Sequence, residues 1–505
     1  MRIVILDPFE VLSTDLLGRV GRLKTRKGNI TTPALLPVVN PFIPNAVSAS
    51  EIVDLGFQGV TTNAYLILRN APECTSVHNL LKIESPVMTD SGAYQLLRYG
   101  TISVDQERII AFQKRLESDI AVILDVPTGG YASEEQAMRT AIATYQRAVE
   151  ALPLIKDDNR IWVAPIQGGP YTHIVDRIAA QTAALDYSMY AVGSPTELLE
   201  EYNVAPLARM VWVVRQRIPY GKPLHLFGAG HPIVFALFAA LGCDTFDSAA
   251  YAIYARDDRY MTPYGTKRLK DLVELPCSCS ICKKFSEAKE LLDVPKPERE
   301  RLLALHNLNI CLQEEKAVRQ AIREGRLWEY AKARCLAHPA LKAAFRVLVE
   351  GAEKLIPFTR TRKRRGLFFY DHDDLNRPEV LAFKKFLKEK WFPRTSKVLL
   401  LRADKLEPHL ERFFLNPPSD YQVCLWGGPF LIIPCEIAHT YPLSQFEAAD
   451  CLISEEDVLW IADLLVAKGV SEVLLVRSGD PLESILLERL RSKGVQIQVC
   501  DKPPL

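Results

Sequence analysis

The sequence carries almost no excess charge of either sign: 62 Lys and Arg against 61 Asp and Glu leave +1 over 505 residues. Such a balance creates no global field for nucleic acid, so any RNA-binding surface has to be local. Cysteines number 11 and are scattered, apart from one knot at 277–282. That distribution excludes a disulfide framework and implies reduced thiols. Internal repeats and low-complexity tracts are missing, and 24% charged with 9% aromatic residues excludes a disordered or collagen-like chain. No hydrophobic run reads as a membrane span. The stretch 223–243, PLHLFGAGHPIVFALFAALGC, has the length and lacks formal charge, but Gly228, Gly230, Pro232, His225 and His231 break it. A buried strand followed by a core helix explains it better. The amino terminus, MRIVILDPFE, meets Asp7 and Pro8 before a signal-peptide apolar region forms. These absences point to a soluble, cytoplasmic protein with no membrane partner, long enough for roughly three domains.

From about 30 to 250, short apolar runs alternate with helical patterns. The spacing predicts strands at 33–39, 59–63, 86–89, 120–125, 161–166, 189–192, 223–228 and 243–247. Ser103 with Gln106 predicts a capped helix start before Ile109, Phe112 and Leu116. Ser133 with Gln136 predicts another, before a face of Ala137, Ala141, Tyr145 and Val149. Eight strands separated by helices suggest an α/β fold of the (β/α)8 TIM-like barrel type, because parallel strands need long crossovers; a doubly wound open sheet has the same strand count. Residues 284–345 are rich in Glu, Lys, Arg, Leu and Ala and read as long helices. The reading is therefore a catalytic barrel with a metal-binding subdomain over 1–345, a small basic intermediate domain at 346–394, and a small C-terminal α/β domain at 395–505 with strands near 398–401, 474–477 and 495–500.

In a barrel, function is built where the strands end. Here those ends are polar: Thr62-Asn63, Thr89-Asp90-Ser91-Gly92-Ala93-Tyr94-Gln95, Asp125, Gln167-Gly168-Gly169, Ala191-Val192-Gly193, Gly228-Ala229-Gly230-His231 and Asp244-Thr245-Phe246-Asp247-Ser248. A single Asp or Asn in such a place is usually a helix cap. Several carboxylates and amides facing one mouth are a different matter. Two carboxylates can divide a glycosidic displacement between nucleophile and acid/base. A further carboxylate, an amide and exposed backbone groups can read the edge of a purine.

The strongest single motif is Cys277-x-Cys279-x2-Cys282 followed by His306 on a helical pattern. Three thiolates and an imidazole make a closed tetrahedral zinc site of the structural kind. The other cysteines, such as Cys243 and Cys335, read as small core residues.

Taken together, TDSGAYQ (89–95), IQGG (166–169), AVGS (191–194) and CDTFDSAAYAIYARDDRYMT (243–262), with the Cys and His set, resemble the tRNA-guanine transglycosylases. FGAGHP and SAAYAIYARDDRY are similar to the archaeal branch, 7-cyano-7-deazaguanine tRNA-ribosyltransferase, and the resemblance covers about 1–345 and, more weakly, the remainder. It implies an exchange of guanine at position 15 of the tRNA D-loop for 7-cyano-7-deazaguanine through a covalent aspartyl-ribose, the first tRNA-level step of archaeosine biosynthesis. It implies Asp247 as nucleophile and Asp90 as general acid/base, two roles that spacing in sequence does not settle. Ser91, Asp125, Gln167 and the backbone from Ala191 to Gly193 match base-recognition positions. Cys277, Cys279, Cys282 and His306 match a structural Zn2+ site, one per chain. The implied partners are tRNA, guanine and the deazaguanine, with a second copy of the chain in a homodimer. Many archaeal members end in a PUA domain; none is recognised here, so a separate PUA-type RNA-binding protein or the barrel face itself has to grip the tRNA. Arg256, Arg259, Lys267, Arg268 and the run Arg360-Thr361-Arg362-Lys363-Arg364-Arg365 are candidate backbone contacts, which would make binding salt-sensitive. The alternatives are a non-catalytic tRNA-binding subunit, an archaeosine-synthase-like paralogue, or a barrel enzyme acting on a free nucleoside.

Overall fold

Eight short, buried runs become parallel strands, because helices cover them outside and side chains fill the space within. They are β4 (Ala34–Pro37), β5 (Val60–Asn63), β6 (Val87–Asp90), β7 (Ile120–Val122), β8 (Ile161–Ile166), β9 (Met189–Val192), β10 (Leu224–Leu226) and β11 (Thr245–Ser248). The hydrogen-bonded order runs β4-β11-β10-β9-β8-β7-β6-β5. A parallel bridge between Val38 and Thr61 returns the last strand to the first, with Val39 N–H donating to Thr61 O at 2.8 Å. The sheet is therefore a closed barrel, and the open-sheet alternative falls. The structure is a computed structural model that describes residues 7–43, 47–93, 105–403, 420–449 and 453–501.

The amino end of the barrel is plugged by an antiparallel sheet that the sequence pattern did not suggest: β1 (Phe9–Asp15), β2 (Gly18–Thr25) and β3 (Gly28–Thr31). Phe9, Leu23 and Ile30 join Ala34, Met88, Ile120, Ile161 and Met189 in one apolar cluster. With that end filled, the carboxyl end is left for a site.

The crossover helices follow their sequence signals with two shifts. Asp105 caps the helix Gln106–Arg115, while Ser103 lies outside the described residues. Ser133 caps Glu134–Ile155 as read, its side chain accepting from Gln136 N–H. The buried face of that helix is Ala137, Ala141, Thr144, Ala148 and Ala151, whereas Val149 is exposed. Steps of four residues drift by about 40° each on a 3.6-residue helix, so the face must alternate steps of four and three. The stretch 223–243 forms β10 and the helix Pro232–Ala240, every residue of which is buried. Among the described residues no helix is long and apolar enough to cross a membrane.

After β11 the chain forms a hairpin, β12 (Arg259–Thr262) and β13 (Gly265–Arg268), then the cysteine loop, then a helix from Lys296 to Glu324. This helix packs on the barrel: Glu315 Oε2 accepts from Leu35 N–H at 3.0 Å, and Arg319 donates to Pro33 O at 3.0 Å.

The chain divides into two compact units, 1–348 and 349–505. In the second, β15 (Lys397–Arg402), β16 (Gln422–Trp426), β17 (Ile432–Pro434), β19 (Glu472–Val476) and β20 (Gln496–Cys500) form one sheet in the order β17-β16-β15-β19-β20. Val398 and Leu400 feed one apolar cluster and Leu399 and Leu401 another, so both faces are covered. β14 (Leu367–Phe369) pairs with β18 (Phe446–Ala448), and Leu367, Phe369 and Val380 share a cluster with Leu399 and Leu401. Residues of the stretch 367–380 thus share a core with the strands after 395.

Candidate active site and metal site

Three carboxylates meet where the strands end. Asp90 closes β6, Asp125 follows β7 and Asp247 lies on β11, and all three line one cavity of about 570 Å³. That volume is within the ordinary range for small-molecule sites, about 300–1,000 Å³. Gln167, Asn63, Phe227, His231, Tyr254 and Arg259 also face it.

Each carboxylate has a distinct setting. Burial raises Asp90 to about 7, and the neighbouring charges of Asp125 and Asp247 push the same way; the backbone of Gly92 and Ser91 partly opposes them. Asn63 explains how one residue can both cap and line: its Oδ1 accepts from Leu66 N–H at 2.9 Å, while its Nδ2 lies 3.4 Å from Asp90 Oδ2. Asp125 is raised to about 6 by burial, against a lowering hydrogen bond from Gln167. Gln167 Nε2 donates to Asp125 Oδ2 at 2.6 Å, and its Oε1 accepts from Thr128 N–H at 3.1 Å and Ser194 Oγ at 3.0 Å. Those two donors fix which end of the amide faces Asp125. Asp247 Oδ1 accepts from Gly228 N–H at 2.7 Å.

The other residues singled out by sequence fall in different places. Ser91 and Ala191 are fully buried and are not among the cavity walls. Gly193 serves Gln167: a Cβ there would sit 2.2 Å from Gln167 Nε2. Tyr94 and Gln95 lie outside the described residues. Asp244, read with the mouth, lies at the opposite end of β11, where Arg19 is paired with it and Leu224 N–H donates to it. Lys363 is drawn out of the basic run into a buried ion pair with Glu379 at 2.7 Å, while Arg360, Arg362, Arg364 and Arg365 remain exposed.

His231, read from the sequence as one of the residues that interrupt the apolar stretch and as part of the polar end of the seventh strand, faces the cavity. It caps Pro232–Ala240 through Ile233 N–H and bonds Thr266 Oγ1 at 2.8 Å, so it ties that helix to the β12–β13 hairpin. Burial, helped by Arg259, lowers its pKa to about 4, which keeps the ring neutral near pH 7. A second hollow shares Arg259 and Thr266 with the cavity and adds Lys267 and Arg268, which are exposed.

Apart from the carboxylates, Cys277, Cys279, Cys282 and His306 bring their ligand atoms within 4.8 Å of one another. His306 Nδ1 lies 3.6 Å from Cys279 Sγ and 3.3 Å from Cys282 Sγ. A tetrahedron with metal–sulfur bonds of about 2.3 Å and metal–nitrogen bonds of about 2.0 Å has S···N edges of about 3.5 Å. His306 Nε2 lies 3.0 Å from Met261 O, and donating there turns Nδ1 toward the sulfurs. Tyr260 stacks on the ring with centroids 3.7 Å apart. The set fits a tetrahedral ion with soft ligands.

A family model described as queuine tRNA-ribosyltransferase matches residues 15–340. The chain belongs to this family, the tRNA-guanine transglycosylases. Curated relatives named tRNA-guanine(15) transglycosylase include one from Saccharolobus solfataricus, 40% identical over 89% of this chain and 92% of the relative. Another, from Archaeoglobus fulgidus, is 37% identical over 92% of both chains. A third, from Methanococcus aeolicus, is 37% identical over 86% of this chain and 68% of the relative. The family match spans the barrel, the hairpin, the cysteine loop and the helix that carries His306.

Proposed function

We propose that this chain replaces guanine at position 15 of the tRNA D-loop with 7-cyano-7-deazaguanine, through an aspartyl-ribose ester, as the first tRNA-level step of archaeosine biosynthesis. The observation that carries the reading is the convergence of Asp90, Asp125 and Asp247 on one cavity at the carboxyl end of the barrel. In this reading a carboxylate oxygen of Asp247 bonds to ribose C1′ as the C1′–N9 bond breaks. The bonding pair leaves with guanine, which takes the proton held by Asp90. The incoming deazaguanine then gives its N9 proton to Asp90 and attacks C1′, and the ester opens to restore the Asp247 carboxylate. No water enters the balance, so the tRNA is never left without a base.

A carboxyl that titrates near neutrality suits the acid/base role, because it can hold and release a proton at working pH. Asp125 and Gln167 offer the edge of a purine a matched acceptor and donor set. Extraction of a base from folded tRNA costs on the order of a few kcal/mol, which Arg259, Lys267 and Arg268 beside the cavity help to offset through phosphates. The Cys277, Cys279, Cys282 and His306 set holds a structural zinc ion, which ties the loop to the long helix and takes no part in the exchange. A homodimer, and a PUA-type protein gripping the tRNA elsewhere, complete the proposal.

Incubation of the metal-loaded protein with labelled guanine and unmodified tRNA tests it. Label should enter the tRNA, and unlabelled 7-cyano-7-deazaguanine should displace it. Folded protein that binds tRNA without incorporating label would instead favour a non-catalytic subunit.

A further inference from the structure

Next to the cavity lies a buried histidine with no part in the exchange chemistry as described. His225 is fully buried on β10, in register with Thr245 on β11. Its Nδ1 is 2.9 Å from Thr245 Oγ1. Its Nε2 has no hydrogen-bond partner among the described residues, yet it stands 3.5 Å from Asp247 Oδ1. Phe227 packs edge-on against the ring, with centroids 4.7 Å apart, and itself faces the cavity. A buried ring nitrogen without a partner is costly, so its direction needs a reason.

The tautomer follows from electrostatics. If the Thr245 hydroxyl donates to Nδ1, the ring proton resides on Nε2 and faces the carboxylate. The opposite tautomer would aim a lone pair at an anion. We propose that His225 is a positioning residue for Asp247: its Nε2–H, with the Gly228 N–H 2.7 Å away on the same oxygen, holds Oδ1 and leaves Oδ2 as the attacking atom. Among the described residues Oδ2 carries no hydrogen bond, as a nucleophilic oxygen requires. Thr245 acts one step further back, by fixing which nitrogen carries the proton. This assignment rests on Asp247 being the nucleophile.

The test measures single-turnover adduct formation and tRNA affinity in the full-length protein and three variants. His225→Leu should slow adduct formation on the order of 10- to 100-fold, the range that misplacing a reacting group costs, with tRNA affinity unchanged. His225→Gln, whose amide N–H has similar reach, should recover most of the rate. Thr245→Val keeps the ring but frees its proton, and should fall between wild type and His225→Leu. Folded His225→Leu at the wild-type rate, or His225→Gln as slow as His225→Leu, overturns the proposal. If His225→Leu does not fold, Thr245→Val decides, and the wild-type rate in that variant overturns the proposal too. Wild-type protein that forms no adduct removes the exchange reading itself, and the positioning role with it.

Discussion

Asp90→Asn should make the protein more stable while removing its activity, and the gain should depend on pH. In the unfolded chain this carboxyl loses its proton near 3.8, while in the folded protein burial holds the proton until about pH 7. Between those values the unfolded state binds fewer protons, so folding stability falls as pH rises through the window from about 4 to about 7, and the loss is complete above it. Each tenfold change in proton affinity is worth about 1.4 kcal/mol. Three such steps, reduced for the solvent that reaches Asp90 through the cavity, give a penalty of about 2–4 kcal/mol at pH 8. The amide of Asn occupies the same space and does not ionise, so the penalty vanishes in the variant. Thermal unfolding of both proteins at pH 5 and pH 8 measures it. The expected result is a variant melting several degrees above wild type at pH 8, with a smaller gap at pH 5. A variant no more stable than wild type at pH 8, or an equal gap at both pH values, refutes the argument that burial and neighbouring carboxylates load Asp90 with its proton.

Asp247→Asn should abolish a denaturation-resistant protein–tRNA adduct while leaving tRNA affinity within a few-fold; an adduct that survives on a denaturing gel moves the nucleophile to Asp90. Cys279→Ser should lower bound zinc, read by elemental analysis, and make the 277–306 region open to protease, because three ligands remain where four closed the tetrahedron. Normal metal content in that variant would remove Cys279 from the ligand set. Gly193→Ala places a Cβ 2.2 Å from Gln167 Nε2 and forces that amide off Asp125. The cost should be about 1–3 kcal/mol of stability, with a roughly tenfold loss of exchange at unchanged tRNA affinity, and an unaltered exchange rate would contradict it.

The barrel was legible because its signals are local. Each strand is a short buried run of three to six residues, and the strand starts and stops differ from the spacing by only a few residues. The metal set was legible for the same reason, since three ligands fall within six residues and the fourth lies on one face of a helix. What escaped depends on register between strands or on which end of a strand a residue occupies. Asp244 and Asp247 stand three residues apart and belong to opposite ends of the barrel, one paired with Arg19 and the other facing the cavity. His225 gains its meaning only from lying in register with Thr245. Gly193 gains its own from Gln167, which arrives from β8. The amino-terminal sheet escaped because its pattern of mixed glycine, charge and short apolar steps resembles a loop until the barrel supplies a surface for Phe9, Leu23 and Ile30.

The distribution of charge by depth resolves an apparent conflict between the site and its proposed substrate. A polyanion approaching three clustered carboxylates meets repulsion, and the overall charge of +1 does nothing to cancel it. The chain separates the two signs instead. Asp90, Asp125 and Asp247 sit where the strands end, and Asp90 is held largely protonated below pH 7, so the pocket carries less negative charge than its composition suggests. Arg259 stands on the cavity wall, and Lys267 and Arg268 extend from it along the hairpin into an adjoining hollow. In the proposed exchange, phosphates would rest on these hairpin cations while only the base and its ribose pass the rim toward the carboxylates. His231 links the helix behind the cavity to Thr266 on that hairpin, and because its ring stays neutral the bond does not change with pH near neutrality. In the proposed exchange, grip on the backbone falls to the hairpin cations Arg259, Lys267 and Arg268, and chemistry on the base to Asp90, Asp125 and Asp247 at the ends of three strands.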